Sequence, residues 1–158
     1  MDFFELIQPL TDKLFRLAYS LIPDDLQAEQ IVIDSLNVYL LKEKKSILAS
    51  RDLETLSNKD IQLARRNHFK GILAYMAEIG VRRSTQLSDQ LKRTRTQEFV
   101  AFFNLEPKVK LVIFLRYEFQ FTVDEIVDLT SMPRYEVIEK LHNGRFLLLN
   151  DMNDGVRP

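Results

Sequence analysis

The sequence predicts an all-α fold, and three observations carry that prediction. Only four glycines and five prolines punctuate 158 residues. Apolar residues recur at three- and four-residue spacing along most of the chain, the period of a helix face and not of a strand. Hydrophobic residues make up 46%, enough for one ordinary core or two small helical ones.

Taken in order, Phe3, Phe4, Leu6, Ile7, Leu10, Leu14, Leu17, Ala18 and Leu21 mark a first helical stretch with a break near Pro9, and Ile22-Pro23-Asp24-Asp25 ends it. A second helix is predicted from Leu26 to Leu41, burying Ala28, Ile31, Val32, Ser35, Leu36 and Tyr39. Lys42 to Asn58 is polar and reads as loop with a short helix. A third, long helix fits Lys59 to Ile79, with Gly80 as its C-terminal cap. Ser84 to Glu98 offers only Leu87 and Leu91 as large apolar residues, too few for a core, and reads as a linker. Dense apolar periodicity restarts at Phe99 to Leu105 and Lys108 to Tyr117. The expected organisation is therefore a helical domain over 1–83, a linker over 84–98 and a second helical domain over 99–158.

Within the second domain, Phe121 to Leu148 has the layout of a helix-turn-helix. Thr122 fits an N-cap, and Glu125 three residues on completes a capping box for a helix from Val123 to Leu129. Thr130-Ser131-Met132 forms the turn, and Pro133 opens the next helix, where a first-turn proline is tolerated. At about 100° per residue, Val137, Ile138, Leu141 and Leu148 share the face that packs. Tyr135, Glu136, Glu139, Asn143 and Phe146 point the other way, with Lys140 at the edge. Two carboxylates on that face oppose the phosphate attraction that supplies most of the affinity of DNA-reading modules. A glutamate can accept from cytosine N4 and Asn143 can pair with adenine. The plainer reading makes the glutamates solvated residues, with Lys140 paired to Glu136 at i,i+4.

Net charge is −1, but it is unevenly distributed: −5 over residues 1–41, +7 over 42–95 and −3 over 96–158. The middle, with Arg65, Arg66, Lys70, Arg82 and Arg83, is the basic part. The absence of cysteine excludes disulfides, thiolate catalysis and zinc fingers. No apolar run approaches the roughly 20 residues that cross a bilayer. Met1-Asp2-Phe3-Phe4-Glu5 lacks the basic start of a signal peptide, so a cytoplasmic protein with no membrane partner is expected. His68 and His142 are the two histidines, and no glycine-rich phosphate loop or nucleophile motif accompanies them. The pairs Asp24-Asp25 and Asp124-Glu125 stand at helix starts, where capping accounts for them. An enzyme, a cofactor and a metal site are not expected.

The order of these parts resembles the bacterial sigma factors of the compact, two-domain, extracytoplasmic-function type, over nearly the full length. LFRLAYSLIPDDLQAEQIVIDSLNVYLL is similar to that family's first conserved block, with Ala28-Glu29-Gln30-Ile31-Val32-Ile33-Asp34-Ser35-Leu36 in its key positions. NLEPKVKLVIFLRYEFQFTVDEIVDLTSMPRYEVIEKLHNGRFLL is similar to its last region, most clearly at Leu115-Arg116-Tyr117, Asp124-Glu125-Ile126 and Leu141-His142-Asn143-Gly144-Arg145. The promoter-melting helix aligns through Ala64-Arg65-Arg66-Asn67, without the family's tryptophan; a rival alignment puts Phe69 to Arg83 there, at the cost of an insertion.

The resemblance implies a subunit of core RNA polymerase that directs it to promoter DNA in transcription initiation. It implies polymerase binding by Glu29, Asp34 and Asn37. It implies DNA binding by Arg65, Arg66, Asn67, Lys70, Arg82 and Arg83, and by Arg134, Tyr135, Lys140, Asn143 and Arg145 in the last helix. An anti-sigma or other regulatory protein would be a further partner. Two other readings stand beside it. One is a sigma-like regulator that has lost promoter reading and acts through protein contacts; the other is an unrelated helical binding module sharing only the helix-turn-helix.

Overall fold

The computed structural model describes residues 2–49, 57–91 and 100–154, and these are helical with no strand among them. A short α1 (Phe3–Ile7) starts on a capping box, in which Asp2 Oδ1 accepts from the Glu5 amide and Glu5 Oε2 from the Asp2 amide, both at 2.8 Å. Pro9 lies in a 3-10 turn, Gln8–Leu10, which breaks the first apolar stretch where expected and leads into α2 (Thr11–Leu21). Asp24 caps α3 (Asp25–Lys42) by accepting from the Gln27 amide at 2.8 Å. After α4 (Lys44–Ala49), Ser57 and Asp60 form a second capping box and open α5 (Asn58–Gln86). At 29 residues, α5 runs about 43 Å.

Gly80 does not cap this helix. It lies buried inside α5, where a Cβ would come within 2.6 Å of Leu21 Cδ1, so the residue is there for close helix crossing. The helix consequently continues into the stretch read as linker, through Gln86, and Ser88–Leu91 forms α6. Positions 92–98, the rest of that linker, lie outside the described residues.

The C-terminal part begins with α7 (Val100–Asn104) and α8 (Pro107–Tyr117), the latter with proline in its first turn. Thr122 caps α9 (Val123–Thr130), accepting from the Glu125 amide at 3.2 Å. Ser131 takes a left-handed conformation at φ 58°, which reverses the chain before α10 (Arg134–Asp154). Pro133 precedes α10 by one residue. Val137 and Leu141 are buried as the wheel requires and Leu148 is half-buried, but Ile138 is exposed. The buried face turns instead toward Gly144, where a Cβ would meet Ile113 Cγ1 at 2.6 Å and Val109 Cγ1 at 3.0 Å. A side chain there would push α10 off α8.

The two helical parts bury their apolar faces against one another. Leu14 and Leu17 of α2, Ile72 and Leu73 of α5 and Leu111 and Leu115 of α8 belong to one continuous core. Phe119, between α8 and α9, stacks edge-on to Phe69 of α5 at 5.5 Å and Phe114 of α8 at 5.1 Å. At the C-terminal end of α2 the Leu21 carbonyl accepts from Ser84 Oγ of α5 at 2.9 Å and from Lys110 Nζ of α8 at 2.8 Å. Lys110 is only 3% exposed, and its ammonium also stands over the Phe103 ring.

On the far side of the N-terminal part, the Tyr39 hydroxyl lies 2.6 Å from His68 Nδ1, with Phe3 packed on both rings. Burial pushes the Tyr39 phenol up to about 12 and His68 below its ordinary value. Burial thus favours the neutral form of both groups, which share one hydrogen bond.

Two predictions follow from these contacts. Ser84→Ala and Lys110→Met each leave the Leu21 carbonyl one donor; the double variant leaves it none. In urea unfolding the double variant should lose stability beyond the sum of the singles by about 1 kcal/mol or more. Strict additivity would mean that some other group satisfies the carbonyl. For His68, the folded-state value is depressed below the unfolded value of about 6.5, so the unfolded chain takes up the proton first. The stability contributed is complete above about pH 6.5 and is lost as pH falls through the lowered folded value. Unfolding midpoints measured down this range should drop for the wild type and stay flatter for His68→Gln.

Candidate functional site

Three surfaces hold the residues singled out from the sequence. The first is the outer face of α3. Glu29 and Asn37 are exposed there, while Asp34 is half-buried and engaged. Its two oxygens accept from Gln30 Nε2 at 2.8 Å and from Arg83 Nη2 of α5 at 2.6 Å. The Arg83 guanidinium holds the Asp34 carboxyl below the usual carboxylate range. Arg83 Nη1, also buried, has no hydrogen-bond partner among the described residues. Asp34 and Arg83 thus form an α3–α5 pair and leave Glu29 and Asn37 as the polar part of the free face.

Sequence reading missed the rest of that face. Leu26 is 72% exposed and Leu41 80%, with Ile33 exposed between them. Residues 26, 29, 33, 37 and 41 follow one another along a single helix face. The signal was present in the sequence as apolar residues lying off the Ala28-Val32-Ser35-Tyr39 stripe.

The second surface is the basic segment of α5, whose residues the fold separates. Arg65 turns back to α1, donating Nε to the Leu6 carbonyl at 2.9 Å. Arg66 and Lys70, one turn apart, both reach Glu125 of α9, at 3.3 Å and 2.8 Å. Lys70 lies also over the Phe121 ring. The Lys70 ammonium, with Arg66 beside it, lowers the Glu125 pKa. Asn67 and Arg82 stay exposed, Arg82 on the rim of an open groove of about 670 Å³ between α5, α8 and the turn before α10. Glu78, Lys108 and Glu136 share that rim, and Leu111, Leu129 and Met132 are among its apolar lining.

The third surface is α10. Arg134 pairs with Asp124 of α9, and Arg145 donates to the Tyr117 hydroxyl with its guanidinium over the same ring. Lys140 is largely covered, lying 3.6 Å from Glu106 and 3.8 Å from Glu136. The i,i+4 pairing is therefore present, extended by Lys108 on Glu136 at 3.8 Å. Asn143, Glu139 and Tyr135 are exposed. Arg134, Lys140 and Arg145 each have a partner within the chain, and among the described residues of this helix Tyr135 and Phe146 are the most exposed large apolar side chains.

Chemically, α3 offers an apolar and acidic strip, α5 a cation pair engaged by one carboxylate, and α10 an apolar strip with its cations paired within the chain. None of the described helices is long and apolar enough to cross a membrane. If Glu125 is what occupies Arg66 and Lys70, then Glu125→Gln frees two cations for phosphate. Anisotropy titrations of the full chain with duplex DNA should show tighter binding for that variant at low salt, and a salt slope steeper by about two contacts. An unchanged slope would remove Arg66 and Lys70 from any phosphate-binding surface. No protein-family model matches the chain, and no curated protein matches it.

Proposed function

We propose that this chain is a sigma-like transcription regulator that binds core RNA polymerase through the outer face of α3 and acts through protein contacts, not through duplex reading by α10. One observation carries this reading: the free face of α3 combines exposed Leu26, Ile33 and Leu41 with Glu29 and Asn37. Exposed apolar residues spaced about two turns apart along one face, interleaved with polar ones, suit a protein interface. The acidic character of the N-terminal part suits a basic protein surface. On α10, Lys140 is covered between Glu106 and Glu136, Arg145 is held on Tyr117, and Glu139 faces solvent. That supports the loss of phosphate contacts.

The second reading is a promoter-directing sigma factor. It draws on the two motif blocks and on Asn67 and Arg82, which remain exposed. In that case the Glu125 contacts must open before Arg66 and Lys70 can turn to phosphate. A regulatory partner such as an anti-sigma protein fits either reading.

The test is capture of core RNA polymerase by the tagged full chain, followed by transcription from candidate promoters. Asp34 is left alone, because a lysine there would face Arg83 and disturb the fold. Leu26→Glu and Glu29→Lys alter exposed positions. Together they should reduce capture at least tenfold with an unchanged melting temperature. Undiminished capture removes α3 as the docking face. Promoter-dependent transcription by the captured complex would decide for the second reading.

A further inference from the structure

The outward face of α10 carries an apolar strip that the fold leaves uncovered. Tyr135 is 72% exposed and Phe146 64%, and Ile138, His142 and Leu149 are exposed with them. At about 100° per residue these five share one stripe, centred roughly 140° around the helix from buried Val137, Leu141 and Gly144. Their steps are three, four, four and three; with Arg145 in place of Phe146 the steps alternate threes and fours, as in a seam between paired helices, and Tyr135, His142 and Leu149 take a positions and Ile138 a d position. Arg145 holds the next d position, but its guanidinium is drawn onto Tyr117, 5.4 Å from the ring centroid, which leaves Phe146 beside it to fill that layer.

We propose that α10 pairs in parallel with α10 of a second copy of this chain. The charges on its two flanks argue for that occupant and that orientation. Arg134 lies at a g position on one flank, and Glu139 at the following e position on the other. A parallel pair sets each g residue against the next e residue of its partner helix. Arg134 of each copy then meets Glu139 of the other, twice by symmetry. An antiparallel pair would set like flanks together and forfeit both contacts. The present partner of Arg134 is Asp124, and both side chains are well exposed, so the exchange costs little.

The size of the strip sets the strength. Two copies bring together four aromatic rings at roughly 150–250 Å² each when fully covered, and with the aliphatic residues the pair covers roughly 1,000 Å². That lies below the standard range of specific interfaces, in the class of weak and reversible pairings. The pairing is independent of polymerase binding and holds under either reading of function.

Sedimentation velocity of the full chain over rising concentration tests it. The expected result is a shift from monomer to dimer mass, with Tyr135→Glu and Phe146→Glu each weakening association at least tenfold at an unchanged melting temperature. Arg134→Glu should weaken it as well, and Arg134→Glu combined with Glu139→Arg should restore it. Since the chain has no cysteine, Leu149→Cys provides a clean orientation probe: mild oxidation should link it to itself. A chain that stays monomeric throughout overturns the proposal, as does a dimer indifferent to Tyr135→Glu and Phe146→Glu. Cross-linking of Leu149→Cys to Ile138→Cys, without self-linking, overturns the parallel orientation. A monomer whose α10 becomes protected from hydrogen exchange only on adding core polymerase overturns it in favour of that partner.

Discussion

The Leu21 carbonyl, at the C-terminal end of α2, is where the two ends of the chain are held in register. The last carbonyls of a helix have no partner inside it, and here one is filled by Ser84 from α5 and Lys110 from α8. The negative end of the α2 dipole favours a cation at that point. A buried ammonium is costly to desolvate unless its donors are used, so Lys110 fits where the end of α2 lies over α8 and fits poorly elsewhere. Gly80 reinforces the arrangement by letting α5 approach Leu21 itself. Apolar burial supplies the attraction between the halves; this polar contact selects one way of satisfying it.

That packing decides which charges remain available to a partner. Glu125 is close to Thr122 at the start of α9 and also reaches Arg66 and Lys70 of α5. A residue in the first turn of a helix therefore also pairs with two cations of the basic segment and offsets one of their charges. The same economy appears at Asp34, for which the resemblance implies an external contact and which the fold uses against Arg83. Beside the exposed polar residues, several large apolar side chains stay uncovered: Leu26 and Leu41 on α3, Tyr135 and Phe146 on α10.

Most of the fold was legible in the sequence because helix period and capping are local. The break at Pro9, the Asp24 cap, the Thr122 cap and the turn at Ser131 follow from a few neighbouring residues each. Gly80 misled because a glycine after an apolar run reads as a cap, and its actual role depends on Leu21, far away in the chain. Ile138 misled for a related reason. Gly144 rotates the buried face of α10 toward α8, and a side-chain wheel gives a glycine no weight. The sites were less legible than the fold. Charge counts located the basic segment, but whether a cation is engaged depends on tertiary partners such as Glu125 and Tyr117 that spacing does not predict.

The shared core also bears on how the chain emerges from the ribosome. Synthesis delivers α2, α3 and α5 well before α8, so the side of Leu17, Leu21 and Phe69 that meets the C-terminal part has no cover until residues beyond Tyr117 are free. During that interval the nascent chain carries an apolar face, and the carbonyl at the end of α2 has Ser84 but lacks Lys110. Non-local contacts of this kind are made late and slow the final collapse, and they expose the intermediate to association with other chains. The burial of Lys110 marks the moment at which that exposure ends.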